Sequence, residues 1–120
     1  MNLYRQLKHE YNKALSQCDV LITPTLPYVP ARHAGPGAGP LEQMGKSRGC
    51  ALNTVCFNAS GHPAMSLPVG MLSAVEDDKI MLPVGMQITG KWFDEKMIYQ
   101  VGAAWERAFD WKVQGAPRIV

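Results

Sequence analysis

The stretch IMLPVGMQIT, residues 80–89, sets Leu82, Val84, Met86 and Ile88 on one side of an extended chain and Pro83, Gly85, Gln87 and Thr89 on the other. A period of two is what a strand with one apolar face produces. Upstream, Ala64 to Val69 reads as a second strand. The connector from Met71 to Lys79 carries Glu76-Asp77-Asp78-Lys79 and reads as a solvated turn, so a connector this short predicts an antiparallel hairpin.

Working outward, Gly61 stands where a left-handed helix cap would go and His62-Pro63 prevents continuation, which ends one or two helical turns expected within Leu41 to Ser60. On the other side, Asp94 can cap a helix whose stripe is Met97, Val101, Ala104, Trp105 and Ala108. Near the start, Leu3, Leu7, Tyr11, Ala14 and Leu15 recur at helical spacing. That helix should stop near Gln17, because Val20 to Thr23 is a short apolar strand pattern closed by Pro24. Residues 24–40 (PTLPYVPARHAGPGAGP) lack the backbone donors for a regular ladder and predict a long loop, of the kind that is functional or lies on something else. Asp110 to Val120 reads as an irregular tail. The order of elements predicts the α/β class in a single domain over 1–120, a partial mixed β-sheet flanked by helices.

With 47% hydrophobic and 18% charged residues the chain belongs to packed globular proteins. Its net charge of +2, from 12 basic and 10 acidic residues without a block of either sign, implies neither a nucleic-acid partner nor an anionic membrane. The polar first ten residues and the lack of a long apolar run predict a cytoplasmic chain. Cys18, Cys50 and Cys56 have no C-x-x-C pairing and no histidines at ligand spacing. They predict no metal site and read as reduced, small hydrophobes.

Several features invite a catalytic interpretation that their surroundings do not support. Ser47 sits between Lys46 and Arg48 without a partner motif. Ser60 and Ser66 read as a helix-end residue and a strand-flanking residue. His9, His33 and His62 are dispersed, and His62 reads as a loop histidine. The glycines of GPGAGP lack fingerprint spacing for a nucleotide, and Asp77 and Asp78 form a charged turn, not an acid–base pair. No cofactor is expected.

Taken together, DVLITPT at Asp19 to Thr25, NTVCFNASGHPAMSLPVG at Asn53 to Gly70, LPVGMQITG at Leu82 to Gly90 and the helix from Asp94 to Phe109 resemble, in order, the C-terminal third of amidase-signature enzymes. The resemblance implies a hydrolase of linear carboxamide C–N bonds that works through a serine nucleophile, a second serine in a cis peptide and a lysine. In the family those residues and the glycine- and serine-rich oxyanion segment lie upstream of the part matched here, so the resemblance implies no catalytic residue in this chain and no activity of the chain alone. It implies that Asn53, Thr54 or Phe57 faces the acyl pocket. Against this stands a structural role in which the buried polar groups of Asn53, Thr54 and Asn58 hydrogen-bond to loop backbone. Family members that draw ammonia from glutamine are expected to carry an acidic residue near the position of Ala51, and alanine there points to a less polar amide. The alternative function is an amidase-derived, non-catalytic binding or assembly module stabilised by oligomerisation. Self-association or a complementary amidase segment are the partners expected.

Overall fold

A computed structural model describes residues 2–111; the remainder of the expected tail, 112–120, lies outside the described residues. Helix α1 (Leu3–Leu15) starts where the Asn2 side chain accepts a hydrogen bond from the Tyr4 amide at 3.0 Å, and it ends two residues before Gln17. Strand β1 (Val20–Pro24) follows. The proline-rich stretch then runs without regular structure to α2 (Pro40–Ser47), which uses Pro40 in its first turn, where a missing N–H is harmless. Helix α3 (Val55–Ser60) ends at Gly61, whose φ of 76° gives the expected left-handed cap, its N–H bonded to the Phe57 carbonyl at 2.8 Å. Strands β2 (Ala64–Ser73) and β3 (Met81–Gly90) form the hairpin, and α4 (Glu95–Ala108) completes the order.

The sheet order is β1-β3-β2, and β3 pairs antiparallel on both sides. The α/β arrangement of sheet and helices is therefore as read, but the described strands contain no parallel pair of the kind a mixed sheet would need. In this register Ile22, Ile88 and Met65 stand in one row, and Pro24, Met86 and Leu67 in the next. Side chains directly across antiparallel strands share a face, so these rows make one face apolar. The alternate row, Thr23, Gln87 and Ser66, makes the other face polar. A bulge between Pro68 and Gly70 shifts β2 by one residue midway along the hairpin.

Helix α4 lies on the apolar face. Ile98 touches the position of Gly90, and Gly102 comes so near that a Cβ there would sit 2.5 Å from Met65 Cε. Its buried residues are Ile98 and Gly102, whereas Ala104 and Ala108 of the expected stripe are exposed. The helix is turned about one position from the expected stripe because its closest approach to the sheet is made by a glycine, which no hydrophobicity pattern marks. Asp94 stands at the N-cap as expected but makes no side-chain cap bond. On the other side α1 packs on α3, with the rings of Tyr11 and Phe57 4.9 Å apart. The buried apolar residues among those described are few: Leu15, Phe57, Ile88 and Ile98.

Candidate functional site

The stretches that carry the resemblance meet at the sheet, three of them on its polar face. Gln87, buried in the central strand, donates through Nε2 to Thr23 Oγ1 at 3.2 Å and to the Asn53 carbonyl at 3.0 Å. Asn53 returns the link, its Nδ2 donating to the Pro24 carbonyl at 3.0 Å. Further along, Thr25 Oγ1 and Ser66 Oγ are 2.6 Å apart directly above Gly85, and the Thr25 amide bonds the Gly85 carbonyl at 2.9 Å. Strands β1, β2 and β3 and the loop entering α3 are thereby cross-linked by uncharged hydrogen bonds, each worth about 1 kcal/mol net.

The three residues singled out in the sequence are held as follows. Asn53 is half-buried with its amide committed to backbone, and Thr54 is half-buried with its hydroxyl donating to the Ala51 carbonyl at 3.2 Å. Phe57 is buried against Tyr11. None of them lines the groove beside the sheet, the hollow on α4 or the hollow under the proline-rich stretch. Asn58 is exposed. The thiols of Cys18 and Cys50 are exposed and that of Cys56 is half-buried, so the expectation of buried cysteines fails for the first two.

A second cluster escaped the sequence. His62 is 4% exposed and Ser60 3%, so the loop histidine and helix-end serine read from the sequence are both buried. His62 Nε2 lies 3.0 Å from Asn12 Oδ1 and Nδ1 lies 2.9 Å from Ser60 Oγ. An amide oxygen only accepts, so Nε2 carries the proton and Nδ1 of the neutral ring accepts from the serine. Burial, and after it the charge of Lys8, holds the His62 pKa below its ordinary 6.5. Lys8 Nζ sits 3.0 Å over the Trp92 ring, whose indole N–H donates to the Ser60 carbonyl at 3.2 Å. Beside it, burial foremost, then a hydrogen bond and the charge of Cys56, pushes the Tyr11 phenol up to about 12. The only hint in the sequence was that Asn12 falls on the same helix face as Lys8.

In chemical terms, serine, histidine and asparagine in line are the parts of a nucleophile, base and orienting group. Here the serine and histidine are both almost completely buried, so an acyl group has no room at the hydroxyl. The Ser66 hydroxyl is paired with Thr25, and the Ser47 hydroxyl donates to the Met44 carbonyl at 3.1 Å. Among the described residues, no three or more metal-ligating side chains converge, and no helix is long and apolar enough to cross a membrane.

Two hollows remain. An apolar groove of about 670 Å³ lies between the sheet, the proline-rich stretch and Trp105. A second hollow, of about 480 Å³, lies under Arg32, His33 and Lys46, where Glu76 faces both Arg32 and Lys46 at 3.9 and 4.0 Å. Those pairs are solvated and contribute little, and the carboxylate offsets the positive charge that an anion would need.

Comparison with known proteins places this arrangement. A Rhodococcus erythropolis protein described as an uncharacterized protein in the nthA 5' region is 38% identical over 106 residues, 88% of this chain and 50% of that protein. A glutamyl-tRNA(Gln) amidotransferase subunit of Natranaerobius thermophilus is 40% identical over 95 residues, 79% of this chain and 17% of the relative. The crystal structure of the corresponding glutamyl-tRNA(Gln) amidotransferase polypeptide from Thermotoga maritima superposes with a TM-score of 0.59 at 31% identity, covering 81% of this chain and 19% of that one. The chain thus spans about a fifth of the length of these amidotransferase polypeptides and half that of the Rhodococcus protein. The model of the amidase family matches residues 1–99, and with the ordered motifs joined at one sheet, the chain belongs to the amidase family.

Proposed function

We propose that this chain is the C-terminal scaffold and pocket wall of an amidase-type hydrolase acting on linear carboxamide C–N bonds, and that alone it does not turn over amides. The observation that carries this is the sealing of the serine–histidine pair: Ser60 and His62 are 3% and 4% exposed, so attack on a carboxamide carbon must come from a nucleophile elsewhere. Asn53, Thr54 or Phe57, at the start of α3 and within it, faces the acyl pocket in this reading. The parent substrate is an amide less polar than glutamine, a choice supported by alanine at position 51. The free thiols of Cys18, Cys50 and Cys56 agree with a reducing, cytoplasmic setting.

The test is hydrolysis of a panel of small aliphatic and aromatic amides by the purified chain, with a serine-reactive phosphonate alongside. No turnover and no labelling are expected. Turnover with stoichiometric labelling of Ser47, Ser60 or Ser66 would overturn the proposal. The second reading, an amidase-derived assembly module, is favoured by a specific observation: large apolar residues such as Ile22, Leu41, Met44 and Leu72 stand exposed.

A further inference from the structure

We propose that α1 is a pH-sensitive flap, which protonation of His62 lifts from α3 to uncover Ser60 and His62 while the sheet and α4 stay folded. The inference concerns the seating of one helix and does not depend on the amide chemistry proposed above.

His62 is where α1 is fastened. Its Nε2 donates to Asn12 Oδ1 of α1 at 3.0 Å, and Nδ1 accepts from the Ser60 hydroxyl at the end of α3 at 2.9 Å. Its ring lies edge-on to Tyr11 of α1 at 5.7 Å and to Trp92, just after β3, at 6.3 Å. The neutral ring thus has both nitrogens satisfied while almost completely buried. A second proton turns it into a cation that no carboxylate among the described residues faces. The charge that acts on it is Lys8 of α1, itself a cation held 3.0 Å over the Trp92 ring. Tyr11, pushed up to about 12, keeps its proton, with Cys56 of α3 hydrogen-bonded to it. Asp19, in the turn after α1, faces Lys91 at 3.9 Å, and His9, Glu10 and Lys13 are exposed. A buried charge without a counter-charge is costly, so protonation favours a state in which the ring meets water.

Of the elements that cover the ring, α1 is the one that can leave. It packs chiefly on α3 and has one buried residue, Leu15, with Leu7, Lys8, Tyr11 and Ala14 half-buried. Elements with so few buried contacts open first. Ser60 and Trp92 are tied to each other through the indole N–H and the Ser60 carbonyl at 3.2 Å, beside the paired ends of β2 and β3, where the Gly90 N–H bonds the Pro63 carbonyl at 3.0 Å. Residues 16–19 lie in turns and bends and join α1 to β1, which stays paired with β3 from Val20 opposite Gly90 onward. Burial first, and Lys8 second, hold the His62 pKa below 6.5 while α1 is seated, and release lets it return towards that value. The seated state is therefore fully favoured above about pH 6.5 and loses ground as pH falls towards the seated value. One proton is taken up on opening, so the open fraction rises by up to about tenfold per pH unit in that window.

Hydrogen exchange read peptide by peptide on the purified 120-residue chain tests the flap, at about pH 7.5 and pH 5.5, in water and in sub-denaturing urea, with rates corrected for the intrinsic pH dependence of exchange. Protection of α1 should be about tenfold or more below that of β3 and nearly independent of urea, the mark of a local opening that exposes little surface. At the lower pH it should fall a further three- to tenfold or so. His62→Gln should abolish that fall. Lys8→Gln, at a half-buried position, should loosen α1 at both pH values and make the fall smaller, since it removes the cation that disfavours the charged ring. Equal protection of α1 and β3 with the same urea dependence overturns the proposal, because α1 then leaves only when the whole chain unfolds. No fall in the parent chain, or a fall that persists undiminished in both variants, overturns it as well.

Discussion

Replacing Gly85 by alanine probes the joint where three strands of the polar face meet. A Cβ at this position would lie 2.8 Å from Thr25 Oγ1, 2.9 Å from Ser66 Oγ and 3.2 Å from Thr25 Cβ. Neither neighbour is the loose end of a long side chain. Thr25 is β-branched, and its amide is anchored to the Gly85 carbonyl at 2.9 Å, so its Cβ retreats only if the end of β1 retreats with it. Turning the hydroxyls aside breaks their mutual bond, a loss of about 1 kcal/mol, and the residual crowding adds about 1–3 kcal/mol. Alanine recovers about 0.5–1 kcal/mol by restricting the unfolded chain. The net is a destabilisation of about 2 kcal/mol, read as a lower urea midpoint at unchanged m-value by tryptophan fluorescence. Ser66→Ala removes one of the two obstructing oxygens, so Gly85→Ala in that background should lose about 1 kcal/mol less than it does alone. An alanine variant as stable as the parent, or strict additivity of the two substitutions, would refute the steric account of this joint.

Asn53→Ala removes the bond to the Pro24 carbonyl and should lower stability by about 1 kcal/mol, measured by the same urea series; if it instead leaves stability unchanged, the link between α3 and β1 is not structural. Ile88→Ala empties a fully buried position in the central strand and should lose about 3–4 kcal/mol, against about 1 kcal/mol for the milder Ile88→Val in the same urea assay. His62, held below its ordinary 6.5 by burial and by Lys8, favours the neutral ring in the folded state. The unfolded chain therefore takes up the proton first as pH falls. The stability from neutral His62 is present above about pH 6.5 and is lost as pH falls from there towards the folded value. Urea midpoints at pH 7.5 and pH 5 should reveal the slope, and His62→Gln, which keeps hydrogen-bonding groups but does not titrate, should flatten it.

Strand and helix order was legible because it rests on local periodicity. The alternation in β3 put Ile88 and Gln87 on opposite faces, and the register found agrees. Gly61 marked the end of α3 because a left-handed cap has a residue preference of its own. What was not legible depends on contacts between segments far apart in the chain. His62 looked like a loop residue because its partner Asn12 comes from α1, fifty positions away, and nothing in the intervening sequence records that approach. The stripe of α4 was misplaced by one position for a related reason, since the closest contact of the helix is Gly102 against Met65 and Leu67, a fit of shape at a position without a side chain, which leaves Ile98 as the one apolar residue that marks the buried line. Asn53 was legible in chemistry but open in role, because a half-buried amide facing a cavity and one tying loop backbone have the same sequence.

The residues that mark the family and the residues that join the sheet are largely the same, and that bears on what such marks mean. Thr23, Pro24 and Thr25 belong to the first motif, Asn53 and Ser66 to the second, and Gly85 and Gln87 to the third. Each either bonds another of the set or makes room for such a bond. A motif of this kind can persist without a reacting group, because removing one member leaves a neighbour's donor or acceptor unmet or a joint overfilled. In this chain the motif residues therefore build first a joint between three strands and a helix, and in the function proposed above activity follows only where another segment brings a nucleophile to it. The two properties separate experimentally. Gly85→Ala and Asn53→Ala act on the joint and are read by stability, whereas amide turnover and serine labelling are read on the unmodified chain and respond to the nucleophile alone.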